Sequence, residues 1–156
     1  MSRAALVVAS GTLVLGATPA GLYRSLLAAP VSNGTVKALK IGATPRRHHA
    51  VGEVEVDFDR GASRIIYVVF PTVADDRANF TAGLRALRRP GYLTRVPAPG
   101  VAAPSLLLRA VVNYGTSLTE ISFVSGNVGV NAVSTKGEAR VRALARLALR
   151  HLNAVR

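Results

Sequence analysis

Between Val51 and Asp59 the chain alternates strictly. Val54, Val56 and Phe58 fall on one side, and Glu53, Glu55, Asp57 and Asp59 on the other. That is the two-residue period of a half-buried strand. Arg60-Gly61-Ala62 supplies a turn and Arg64 to Phe70 is an almost unbroken apolar run, so the pair reads as a β-hairpin. The period then changes. Pro71-Thr72 opens a segment in which Val73, Phe80, Leu84 and Leu87 recur at helical spacing, with Asp75 and Asp76 at the positive end of the helix dipole. Two cations, a proline and a glycine at Arg88-Arg89-Pro90-Gly91 stop it.

The same reading extends to both ends of the chain. Tyr92 to Val96 is a short strand, followed by an exposed loop of Pro97-Ala98-Pro99-Gly100 with Pro104. Ser105 to Asn113, Leu118 to Val124 and Val128 to Val133 form a meander, separated by Tyr114-Gly115-Thr116 and Ser125-Gly126-Asn127. A last helix runs from Gly137 to Asn153, its apolar face made by Val141, Leu144, Ala145, Ala148 and Leu152. Upstream of the hairpin, Tyr23 to Ala29 is a helical turn broken by Pro30 and Asn33-Gly34. Thr35 to Ile41 is a strand, and Thr44 to His49 a basic loop. The pattern predicts an α+β domain: an antiparallel sheet of about five to seven strands with two amphipathic helices packed on it. Its order is strand-strand-helix, then a three-strand meander and a C-terminal helix. Each half thus contains a hairpin followed by a helix, as a duplication would produce, and units of this kind tend to place their helices on one side of the sheet.

The first residues follow a different logic. Met1-Ser2-Arg3 is a short cationic start, Ala4 to Ala17 carries no charge, and Ala17-Thr18-Pro19-Ala20 offers small residues and a helix breaker. This is the layout of a secretory signal peptide over residues 1–20, cleaved after Ala17 or Ala20. The alternative is a retained membrane anchor, because no charge falls between Arg3 and Arg24. Residues 23–156 are then one domain, since a chain of 156 residues with 49% hydrophobic content is too short for two ordinary cores. It contains no cysteine, so disulfides, thiolate metal sites and lipid attachment through a cysteine are excluded.

Charge adds the main functional hint. Twenty Lys and Arg stand against eight Asp and Glu, a net +12, and such an excess attracts anionic partners. The densest cationic cluster is Arg46-Arg47-His48-His49, suited to a phosphate or carboxylate. Arg142, Arg146 and Arg150 recur every four residues along the last helix, while Arg77, Arg85, Arg88 and Arg89 load the earlier one. If the two helices share a face of the sheet, these arginines merge into one basic surface. The acids Glu53, Glu55, Asp57 and Asp59 are expected to form internal salt bridges. They lie along one strand, whereas a hydrolytic carboxylate pair must face across a cleft.

Catalytic signatures are missing: there is no G-x-S-x-G, no phosphate-cradling glycine loop and no H-E-x-x-H. Adjacent histidines point apart in an extended chain and only His151 remains elsewhere, so no metal or other cofactor is expected. Nucleic-acid binding lacks a recognition motif, and four Tyr and four Phe offer little for base stacking.

The segments Thr119 to Val124, Ser125-Gly126-Asn127-Val128-Gly129-Val130 and Arg142 to Ala148 resemble the ending of secreted actinobacterial domains. Those are extracytoplasmic sensor domains and small lipoproteins that close with a strand, a Gly-Asn turn, a strand and an Ala-Leu-rich helix. Phe70 to Asp75, entering a helix after a hairpin, is similar to their earlier part. The cysteines those proteins carry are absent here. The resemblance implies an exported, non-catalytic domain that binds a small ligand or a cell-envelope component, secreted or held at the envelope. The alternative is an interaction protein that adheres through a basic helix surface to an acidic wall polymer, an anionic lipid or nucleic acid.

Overall fold

The computed structural model describes residues 18–39, 49–87, 93–95, 100, 105–111 and 116–156. The elements are α1 (Pro19–Ala28), β1 (Thr35–Leu39), β2 (Gly52–Phe58), β3 (Ser63–Val69), α2 (Val73–Leu87), β4 (Leu93–Arg95), β5 (Ser105–Val111), β6 (Ser117–Ser125), β7 (Val128–Ser134) and α3 (Glu138–Val155). The fold class is α+β, with the strands in one antiparallel sheet of order β1-β2-β3-β7-β6-β5-β4. A first meander walks inward from the β1 edge to β3. The chain then crosses to the far edge, and a second meander returns inward from β4 to β7. The two meet where β3 pairs with β7, Tyr67 opposite Val130.

The turns obey local chemistry. At the β2–β3 hairpin Asp59, Arg60 and Gly61 all have positive φ, which a short polar residue and a glycine adopt most readily. At the β6–β7 turn Gly126 has φ 61°. Asn127 beside it clamps the end of β3: its side-chain amide donates to the Phe70 carbonyl at 2.7 Å, and the Phe70 N–H donates to the Asn127 carbonyl at 2.9 Å.

Strand alternation sorts the sheet into two faces. Val54, Val56, Phe58, Ile65, Tyr67, Val69, Leu107, Ile121, Phe123, Val128, Val130 and Ala132 make the main core with Leu22 and Leu26 of α1 and Val141, Leu144, Ala145, Ala148 and Leu152 of α3. The five α3 positions are those the apolar periodicity picked out. The expected turn at residues 23–29 is a full helix starting earlier, at Pro19, with the Thr18 hydroxyl accepting from the Gly21 N–H at 3.1 Å. The aromatic ring of Tyr23 lies where a Cβ on Gly52 would sit, 2.3 Å from that position. The glycine is what lets α1 approach β2.

One expectation is corrected. α2 lies on the opposite face from α1 and α3, since a Cβ on Gly129 would meet the Asp76 carboxyl and the Phe70 ring, while its neighbours Val128 and Val130 point into the main core. A two-fold axis relating antiparallel β3 and β7 stands perpendicular to the sheet and would keep both helices on one side. The repeated hairpin-helix order is therefore a feature of the chain that the packing does not follow.

Candidate functional site

Two acids of the acidic strand, Glu55 and Asp57, are held in internal ion pairs. The β1–β2 register sets Lys37 opposite Glu55, and its ammonium reaches Glu55 and Asp57 at 2.7 Å each. Arg64 on β3 adds a longer contact to Glu55 at 3.4 Å. Hydrogen bonds to Asp57 and then Glu55 hold the Lys37 pKa above its usual value. The pairing is closer than a solvated row would give, for Glu53 and Glu55 are only 2% and 4% exposed.

A second cluster of ion pairs, four cations to two carboxylates, surrounds the start of α3. Asp59 accepts from the Ser63 hydroxyl at 2.6 Å and the Arg140 Nε at 2.8 Å, with the Lys136 ammonium at 3.6 Å. Those hydrogen bonds, Ser63 first and Arg140 next, hold its carboxyl below the ordinary carboxylate range. Glu138 accepts from the Arg142 Nε at 2.9 Å and pairs with Arg109 on β5, and Arg142 and then Arg109 depress its pKa. Arg140 also lies over the Phe58 ring, 5.7 Å from its centre.

The cationic positions singled out from sequence separate into three groups. Arg46, Arg47 and His48 lie outside the described residues, and His49 is exposed. Arg142 is engaged by Glu138. Arg146 and Arg150 are exposed on the outer side of α3, with no ion pair among the described residues. They point away from the buried stripe of Val141, Leu144, Ala148 and Leu152. Arg24, which the sequence did not single out, is exposed on the matching side of α1, opposite buried Leu22 and Leu26. Because α1 and α3 form one layer, these three arginines share a face of the molecule.

All eight acids of the chain lie within the described residues, and none is on that face. Glu53, Glu55, Asp57 and Glu120 alternate out of the main core onto the α2 side, and Asp75 and Asp76 are on α2 itself. Asp59 and Glu138 are consumed at the start of α3. The outer face of α1 and α3 thus carries arginine without carboxylates, whereas across the sheet the carboxylates occur together with the exposed Arg77 and Arg85 of α2.

Two buried polar groups escaped the sequence reading. Asp76 is 0% exposed, and neither carboxyl oxygen has a hydrogen-bond partner. Burial alone pushes its pKa up to about 7. In the core, the Tyr67 hydroxyl and His151 Nδ1 are 3.1 Å apart, their rings edge to face, and Nε2 has no partner. Burial lowers the His151 pKa and raises that of Tyr67. Both groups had a signal: Asp76 lies three residues after Val73 and four before Phe80, and His151 seven after Leu144, so each falls on an apolar stripe.

Among the described residues no group of three His, Asp or Glu side chains could hold a metal ion, and no helix is long and apolar enough to cross a membrane. The outer side of α2 bears an open groove of about 290 Å³, lined by Arg77, Ala78, Thr81, Ala82 and Arg85.

No protein-family model matches the sequence, and no curated protein matches it. Among solved structures, the extracellular domain of PknH from Mycobacterium tuberculosis is similar, with a TM-score of 0.51 and 15% sequence identity over 77% of this chain and 78% of that one. At that identity the likeness is one of fold: the α+β arrangement of this chain is also the arrangement of an actinobacterial extracellular domain.

Proposed function

We propose that this protein is an exported, non-catalytic domain that adheres through the outer face of α1 and α3 to an anionic component of the cell envelope. The lack of carboxylates on that face carries this reading: Arg24, Arg146 and Arg150 share it, while the acids lie paired at the start of α3 or across the sheet. Export is supported by the signal-like residues 1–20 and by a fold shared with an extracellular domain. The single basic surface anticipated from the two long helices is replaced by one formed from the first and last, because α2 faces the other way.

The test is retention on vesicles of phosphatidylglycerol and phosphatidylcholine, with phosphatidylcholine vesicles and a soluble polyanion such as heparin as further arms. A basic side chain near an anionic surface contributes about 1 kcal/mol, so replacing Arg24, Arg146 and Arg150 with Gln should weaken binding on the order of 100-fold. Wild-type binding should also decline steeply as salt approaches about 0.15 M. Retention that ignores both the substitutions and salt would remove the proposal. Retention on heparin alone would assign the face to an acidic polymer.

The second reading, a small-ligand domain, is favoured by one observation, the unpartnered Asp76 carboxyl between α2 and the sheet. Mass spectrometry of the native protein under non-denaturing conditions, looking for a retained small molecule, tests it.

A further inference from the structure

α2 is held differently from the other helices. α1 and α3 bury whole apolar stripes, yet in α2 the only fully buried residue among 73–85 is an acid, Asp76. Phe80 and Leu84 are half-buried, and Val73 is 42% exposed. The carboxyl sits over Gly129 on β7, its Oδ1 2.8 Å from where a Cβ would be, next to the Phe70 ring at the end of β3. The glycine makes room for it, but nothing donates to it. The helix is otherwise well begun: the Thr72 hydroxyl accepts from the Asp75 N–H at 3.1 Å and donates to the Asp75 carboxylate at 2.6 Å. The first turn therefore assigns one acid to capping and buries the other.

The charged neighbours do not rescue Asp76. On the same sheet face, β3 carries Arg64, which is directed to Glu55, β6 carries Glu120, which accepts from Ser122 at 2.5 Å, and β7 carries Gly129, Asn131 and Val133. On α2, Asp75 is held by Thr72 and Arg77 is exposed. An ionised carboxylate with no donor and no cation in a closed site is strongly disfavoured, whereas the neutral acid is tolerated.

We propose that α2 is a lid that stays closed on the sheet while Asp76 is protonated, and that ionisation of this carboxyl releases it. Release lets the carboxylate reach water and uncovers Phe70, Val124 and the backbone of Gly129 beneath the helix. The latch is independent of the basic face, which lies across the sheet. Ionisation shifts the closed state at about pH 7 and the open state near the ordinary 3.8. Between about pH 5.5 and about pH 8 the opening constant of α2 should therefore rise on the order of 30-fold.

Hydrogen exchange read by mass spectrometry, corrected for intrinsic rates and with α3 as internal reference, measures this on the full chain. Wild-type α2 should lose protection relative to α3 over that interval, and Asp76→Asn, neutral throughout, should not. A flat wild-type profile, or the same slope in Asp76→Asn, would overturn the proposal. Carbon-13 titration of the Asp76 carboxyl in the wild type is the check that needs no variant: a midpoint near 7 supports the latch, and one below about 5 ends it. Vesicle retention of Asp76→Asn should match wild type, which separates a failed latch from a failed basic face.

Discussion

Tyr67 and His151 meet inside the core, and their hydroxyl–imidazole contact satisfies one of the two ring nitrogens while leaving the other bare. Tyr67→Phe keeps the ring and removes the partner, so a buried imidazole loses its remaining hydrogen bond at a cost of about 1–3 kcal/mol. Denaturant titration of the two proteins measures it, and equal midpoints would show that the contact contributes nothing. Gly129, like Gly52, is a residue whose identity the packing dictates. A Cβ there would press on Asp76, so Gly129→Ala should destabilise by about 1–3 kcal/mol. Combining it with Asp76→Ala should recover part of that loss. Additive costs in this double-mutant cycle would mean that the two side chains do not compete for the same space.

Among the elements, α1 bears on the proposed signal peptide, whose removal should leave this helix intact. Its cap is Thr18, Pro19 occupies its first turn, and Leu22 and Leu26 are buried against α3 and the sheet. Of the two cleavage positions read from sequence, the one after Ala17 spares the cap, whereas the one after Ala20 removes Thr18, Pro19 and the first turn. The expected mature N-terminus is Thr18, checked by intact mass of the protein from its host. Loss of an N-cap typically costs about 1 kcal/mol. A chain beginning at Gly21 should therefore melt below one beginning at Thr18.

At the scale of the whole molecule, two buried groups impose opposite pH dependences. His151 is neutral when folded and its pKa is lowered, so its contribution is present above the ordinary 6.5 and is lost as pH falls below it. Asp76 has a raised pKa, so its contribution is complete below the ordinary 3.8 and is lost as pH rises through about 7. The two offset one another over mildly acidic pH, flattening wild-type stability. Asp76→Asn removes one side of the balance, and its stability should fall on acidification from about pH 7 to about pH 5 more steeply than the wild type does. Parallel pH–stability curves for the two proteins would contradict this. Asp59 and Glu138, both with lowered pKa, enter only in stronger acid, where their ion pairs are lost.

The amino-acid order alone determined the local elements and the fold class. Alternation at Val54, Val56 and Phe58 made a strand, the stripe from Val141 to Leu152 made a helix, and Gly126-Asn127 made a turn. Those features depend on periods of two or 3.6 residues and on backbone preferences that a short window contains. The side of the sheet taken by each helix depended on tertiary structure, because amphipathicity requires a helix to cover apolar surface without naming which surface. For α2 the side taken is read from Gly129 and Asp76, 53 positions apart in the chain, where the carboxyl sits over the missing side chain. The basic surface changed hands for the same reason. Which arginines remain unpaired depends in part on where Glu138 and Asp59 fold to meet Arg109 and Arg140, and such long-range pairing leaves no local periodic trace.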